Sequence, residues 1–277
     1  MESPWEVKLI SPVFNVFPGS PWRQSAEKFW RYLSNHCHIE GEVYHGTHVH
    51  VFTTPDINAG EGQRLAFAIL QLETAIEALV PDRAGHLDAR SNWLHSEFLA
   101  GQASSRRDAV NFVEHQYWQF GLPTTMQCHD SYDQNFCANF RGWERRGRTV
   151  IEFRTPPPST SLLQALGWAE FTLCLVQASM RCPLRDLVDI RANVGGCAGL
   201  CAGTLYTGLN EFDSLNAIWN GIPWNAMLEP RPSFPQNYPQ ADILSEVELL
   251  GRMIREDKRG LEGVGRPWVL GCIFMGH

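Results

Sequence analysis

"HGTHVHVFT", residues 45–53, is the stretch on which the reading of the chain turns. Its β-branched residues and its alternation mark a strand. Side chains of a strand point to alternate faces, so His48 and His50 share one side while Thr47, Val49 and Val51 share the other. The valines read as the core face. Two imidazoles on the opposite face make a ligand-like pair, suited to a metal or a polyphosphate. Satisfied or exposed histidines on a solvated face are an equal alternative at this point. His45 stands just ahead of the pair as a third imidazole.

A second cluster is "RTVIEFRTPPPST", residues 148–160. Read as a strand, it puts Val150, Glu152 and Arg154 on one face and Ile151 and Phe153 on the other. A carboxylate suits a hard cation such as Mg²⁺, and a guanidinium grips a carboxylate or phosphate with two bonds. A surface Glu–Arg pair of little worth is the plain alternative. Just before it, "QNFCANFR" (134–141) also reads as a strand, and the short link "GWERRG" makes antiparallel pairing the expected arrangement. Asn139 and Arg141 share a face there. If the hairpin pairs, Asn139, Arg141, Glu152 and Arg154 meet on one sheet surface. Together with the two histidines, that surface suits an anionic, metal-bound substrate.

The rest of the chain supplies helices. "WEVKLI" (5–10) alternates as a strand, and "SPVFNVFPGSP" (11–21) reads as a loop punctuated by proline. Helical spacing runs from Ser20 to Asn35, with Ser20 as cap and Pro21 in the first turn; Trp22, Phe29 and Trp30 form its core side. The clearest helix spans Gly62–Val80, where Leu65, Ile69, Leu72, Ile76 and Leu79 form a stripe and Pro81 ends it. Residues 82–103 read as irregular, and 106–118 as helix. A long apolar helix over 162–180 is capped by Ser159 or Thr160, and a last amphipathic helix covers 241–256 before a tail. "GGCAGLCAG" (195–203) reads as a Gly-rich turn, and "NGIPWN" (220–225) as another. The order β α β α α β β α, with helices grouped between strands, predicts a single α+β domain over 1–277 whose antiparallel sheet carries the active groups.

Composition narrows the function. The net charge of −7 argues against a nucleic-acid partner, which needs clustered Lys and Arg. No run of about 18 apolar residues predicts a membrane span. No basic-then-apolar leader is read at the start, so a cytoplasmic location is expected, with the eight cysteines as free thiols. The CxxxC of Cys197 and Cys201 lacks the second pair that a zinc site needs.

In order and spacing, several pieces resemble the amidoligase family, carboxylate–amine ligases related to glutamine synthetase and glutamate–cysteine ligase. They are "WEVKLISPVF", "HGTHVHVFT", the helix with Glu73 followed by "LVPDR", "NFRGWERRGRTVIEFRTPPPST" and "GWAEF", all within about residues 5–180; residues 181–277 read as a divergent, helical C-terminal part. The resemblance implies a curved antiparallel sheet of glutamine-synthetase type, flanked by helices, that holds ATP and Mg²⁺. It implies activation of a carboxylate as an acyl phosphate, which an amine attacks, on a small amino-acid-like substrate. Transferred residue by residue, it makes Glu6, His48 and Glu152 metal ligands, and His50, Arg154 and Asn139 contacts for the nucleotide. His45, His48, His50, Arg141, Glu152 and Arg154 become the catalytic set.

The departures point elsewhere. The family's Glu-x-Glu strand ahead of the Ser-Pro strand has no counterpart here, which weakens Mg²⁺ binding. Thr155-Pro156 replaces its Gln-His, and Thr47 replaces a Leu. A second expectation is therefore a repurposed member that catalyses an ATP-independent cyclisation, condensation or isomerisation in small-molecule biosynthesis, with the histidines as acid and base. A non-catalytic binding protein is a third. A zinc hydrolase, with His129-Asp130 completing the site, is a fourth. A sheet edge left unpaired by the short N-terminus would favour a homodimer.

Overall fold

The computed structural model describes residues 9–17, 19–41, 45–53, 57–83, 89–95, 105, 107–113, 136–140, 150–202, 213–228 and 268–275. Within them the fold is α+β. The strands are β1 (Leu9–Val16), β2 (Gly46–Thr53), β3 (Ala138–Asn139), β4 (Val150–Phe153) and β5 (Trp268–Met275). The helices are α1 (Trp22–His36), α2 (Ala59–Leu79), α3 (Asn92–His95), α4 (107–113), α5 (Leu162–Arg181), α6 (Leu184–Val188), α7 (Val194–Ala202) and α8 (Asp213–Trp219). One antiparallel sheet runs in the order β1-β5-β2-β4-β3.

Two strand readings change. The stretch read as a loop after residue 10 is most of β1, which passes through Ser11-Pro12 by shifting register between Ile10 and Val13. A bulge is where a strand can take a residue with no N–H to offer. The stretch read as a tail contains β5, which lies between β1 and β2 and pairs with β2 along its whole length, from Gly46↔Met275 to Thr53↔Trp268. The helix expected over 106–118 is present as α4 over 107–113; the helix expected over 241–256, residues 106 and 114–118, and Cys128, His129 and Asp130 lie outside the described residues.

The caps also differ. Pro21, not Ser20, is the N-cap of α1, and the Ser20 hydroxyl accepts from the Phe17 N–H instead. Phe29 is 37% exposed, whereas Trp22 and Trp30 are buried as expected. At α2 the helix starts three residues early because Asn58 and Glu61 form a reciprocal capping box. Ser161 rather than Ser159 or Thr160 caps α5. The Gly-rich stretch expected as a turn is the helix α7. Gly196 serves close approach: a Cβ there would lie 2.0 Å from the Arg191 carbonyl oxygen.

Val49 and Val51 of β2, Ala138 of β3 and Ile151 and Phe153 of β4 share the main core with α2 and α5. Helix α2 is buried on nearly all sides rather than along one stripe, because α5, α6 and α7 also pack on it. Phe52, Val150 and Val13 form a separate small apolar cluster. Phe52 and Val150 are on the histidine face, by the same alternation that puts the valines of β2 on the other. No helix among the described residues is long and apolar enough to cross a membrane. Cys37, Cys137, Cys174, Cys182, Cys197 and Cys201 are free thiols.

Candidate functional site

Register does the assembling. β2 and β4 pair with His50 opposite Glu152, and β3 pairs with β4 with Asn139 opposite the same Glu152. Directly opposed residues point to one face, so one carboxylate is met from both neighbouring strands. The Asn139 side-chain amide donates to Glu152 Oε2 at 2.9 Å, and Arg154 Nη1 donates to Oε1 at 2.9 Å. His48 Nδ1 stands 2.9 Å from Oε1, off the line of a straight hydrogen bond, and His50 Nε2 is 3.7 Å from the same oxygen. All five residues are buried. The predicted convergence of His48, His50, Asn139, Glu152 and Arg154 is therefore present, and the alternative of a solvated face is not.

Burial shapes the protonation. It pushes the Glu152 carboxyl upward, but Arg154, His50 and His48 together outweigh it and hold the group well below the usual carboxylate range. For His48, burial and then the Arg154 charge push the imidazole down to about 3, against the pull of Glu152. At neutral pH the centre thus holds a carboxylate, a guanidinium and a neutral His48 imidazole. Nδ1 of that ring faces Glu152, so Nε2 is the nitrogen turned away from it.

A hard cation does not fit this carboxylate as it stands. Mg²⁺ needs oxygen ligands, yet both Glu152 oxygens face N–H donors and one of these belongs to a guanidinium. Among the described residues no group of three or more His, Cys, Asp or Glu is placed to hold a metal. Glu6, the other carboxylate of the expected metal set, and Arg141 lie outside the described residues. His45 precedes β2 by one residue, an odd step from both His48 and His50, and its carbonyl accepts from Arg83.

Arg83 is the residue that sequence reasoning missed. Its side chain is 2% exposed, and it donates to the carbonyls of His45 and, at 3.3 Å, of Arg154. It thereby ties the start of β2 to the end of β4. Its place in "LVPDR" gave the only hint. Thr47 does similar work: its hydroxyl donates to the Pro157 carbonyl at 2.8 Å and accepts from the Ser159 N–H at 3.0 Å. The proline run is thus fixed against β2.

Behind the sheet, α2 carries a second polar group. Glu73 Oε1 accepts from the Asn92 backbone N–H at 2.7 Å, and Asn92 also bonds both the N–H and the carbonyl of Ala138. Asn92 and Glu73 therefore brace the strand that presents Asn139. Nearby, burial and then the Glu73 charge push the Glu77 carboxyl up from 4.5 to about 8, against Arg83. Between those values the folded chain holds a proton that the unfolded chain has released, so stability falls as pH rises through that window. Glu77→Gln removes the dependence. Its stability relative to the parent is expected to improve from pH 5 to pH 8, by at most about 1.4 kcal/mol per pH unit. Urea unfolding of both proteins at each pH measures this, and a constant difference would mean that Glu77 is already ionised in the fold.

Compared with known proteins, the chain matches no protein-family model, no curated protein and no solved structure. The resemblance to carboxylate–amine ligases rests on its motifs.

Proposed function

We propose that the chain is an enzyme that moves a proton on a small, amino-acid-like substrate, with His48 as the acid–base residue. The reaction class is an ATP-independent cyclisation, condensation or isomerisation in small-molecule biosynthesis, run on a glutamine-synthetase-like sheet. One observation carries the reading: His48 lies 2.9 Å from a carboxylate that accepts from Asn139 and Arg154 and that Arg154, foremost, keeps ionised. A carboxylate on one imidazole nitrogen orients the ring and stabilises the imidazolium that forms when the other nitrogen takes a proton. Arg154 cancels the charge of Glu152, so an anionic substrate meets no net repulsion. Burial and the Arg154 charge oppose the imidazolium in the resting fold, so His48 stands as the neutral ring that can accept a proton. In this reading His50 is the second ring available to the substrate, and Asn139 and Arg154 are positioning residues for Glu152.

The ATP- and Mg²⁺-dependent ligase is the second reading. It is favoured by the ordered HVHV and TVIEFR motifs meeting on adjacent strands, with His50 opposite Glu152. Calorimetry with ATP, with and without Mg²⁺, separates the two. No binding at millimolar ATP is expected, and turnover in a screen of amino-acid-like substrates should need neither. Mg²⁺-dependent ATP binding that Arg154→Ala and His48→Ala both weaken would replace the first reading with the ligase.

A further inference from the structure

The CxxxC of Cys197 and Cys201 takes no part in the cluster on the sheet. On α7 the two residues stand four apart, so they lie one above the other on one face of the helix. Both are buried, at 0% and 1% exposed, and their thiols are hydrogen-bonded to each other. Cys174 of α5 is buried as well and lies close enough to act on Cys201. All three belong to the main core, with Val194 and Leu200 as apolar company on α7.

Helical spacing decides what the pair can form. Residues four apart on a helix hold their Cβ atoms about 5–6 Å from each other, whereas a disulfide needs about 3.5–4.5 Å. A direct S–S bond would therefore unwind α7. One atom set between the sulfurs makes up the difference, because two bonds of about 2.3 Å replace one of about 2.05 Å.

Charge decides which atom. The hydrogen bond with Cys197, and then burial, push the Cys201 thiol well above its ordinary range, so it keeps its proton at neutral pH. Two thiolates closing on a monovalent soft cation would leave a negative charge in an apolar core, which is costly. Zn²⁺ takes four ligands, and no three of the described His, Cys, Asp and Glu residues are placed to hold a metal. An uncharged centre that takes two sulfurs and expels neutral groups avoids both costs.

We infer that Cys197 and Cys201 form a dithiol site for an uncharged trivalent arsenical of the form R–As(OH)₂. Two As–S bonds form as two As–O and two S–H bonds break. Each thiol proton leaves with a hydroxide as water, and nothing is oxidised or reduced. Three glycines among nine residues make α7 a weak helix by itself, and its local opening admits the ligand.

The test is native mass spectrometry of the full chain with phenylarsine oxide, which in water is a diol of that form. One equivalent is expected to stay bound in the presence of a monothiol and to leave on addition of ethane-1,2-dithiol. Peptide mapping of the loaded parent should place the arsenic across Cys197 and Cys201. Cys197→Ala and Cys201→Ala put the best helix former into α7, and each should abolish the loading, while Cys174→Ala should leave it unchanged. No adduct on the parent, arsenic mapped to other cysteines, or loading that survives Cys197→Ala would overturn the assignment. The mapping is made on the parent chain and does not depend on any variant folding.

Discussion

Glu152→Gln is expected to destabilise the protein by about 3–5 kcal/mol, the usual result of stripping one partner from a buried ion pair. The variant keeps the shape of the side chain but leaves the Arg154 guanidinium, which lies in a residue 5% exposed, without the carboxylate that neutralises it. It also replaces an acceptor of the Asn139 amide and the neighbour of His48 Nδ1. Chemical denaturation of Glu152→Gln, Arg154→Met and the double variant closes a thermodynamic cycle. The double variant should recover part of the loss, because no charge is then buried alone. Losses that simply add would show that the pair is not coupled, and the cluster would lose its standing as a unit.

The second large effect is in acid. His48 titrates at about 3 in the fold against an ordinary 6.5. Below 6.5 the unfolded chain takes up a proton that the folded chain refuses, so stability is whole above that value and declines as pH falls toward 3. Glu152 adds a loss of its own only below its ordinary 4.5. Between pH 6.5 and 4.5 the Glu152 loss is therefore absent, and comparison with a His48 variant isolates the share of that ring. Across that window the parent should lose stability relative to His48→Asn by up to about 1.4 kcal/mol per pH unit. The charged and titratable groups around the ring are Arg154, Glu152 and His50, and all remain in the variant. Parallel stability curves for the two proteins would show that His48 is protonated as easily in the fold as in water. If His48 also moves the proton in catalysis, turnover of the parent should show no inflection near pH 6.5.

The histidine face was legible because a strand has a period of two. Once 46–53 and 150–153 are strands, His48 joins His50, and Glu152 joins Arg154. The short link at 142–147 made β3 and β4 neighbours, and that brought Asn139 along. The parts that were not legible share a physical cause: long-range packing overrides local preference. "WVLGCIFM" is an apolar run without alternation, and nothing in it says that it pairs with β2 from the far end of the chain. Proline at position 12 argues for a loop until the bulge is seen. Glycines at 195, 196 and 199 argue for a turn, yet α7 forms there and Gly196 is pressed against the Arg191 backbone. Glu77 and Arg83 have the composition of a solvated helix end. Their burial comes from the helices packed around α2 and from the carbonyls that need Arg83.

The position of β5 governs how the molecule is born. A ribosome releases β1 and β2 early, but the strand that joins them emerges roughly two hundred residues later. Until then the two early strands present bare edges, an invitation to the wrong partner. The ring pair on β2 can meet Glu152 before synthesis is complete, yet its strand is clamped on one side only. Closure of the sheet thus waits on elongation, and the slower the synthesis, the longer these edges stay bare.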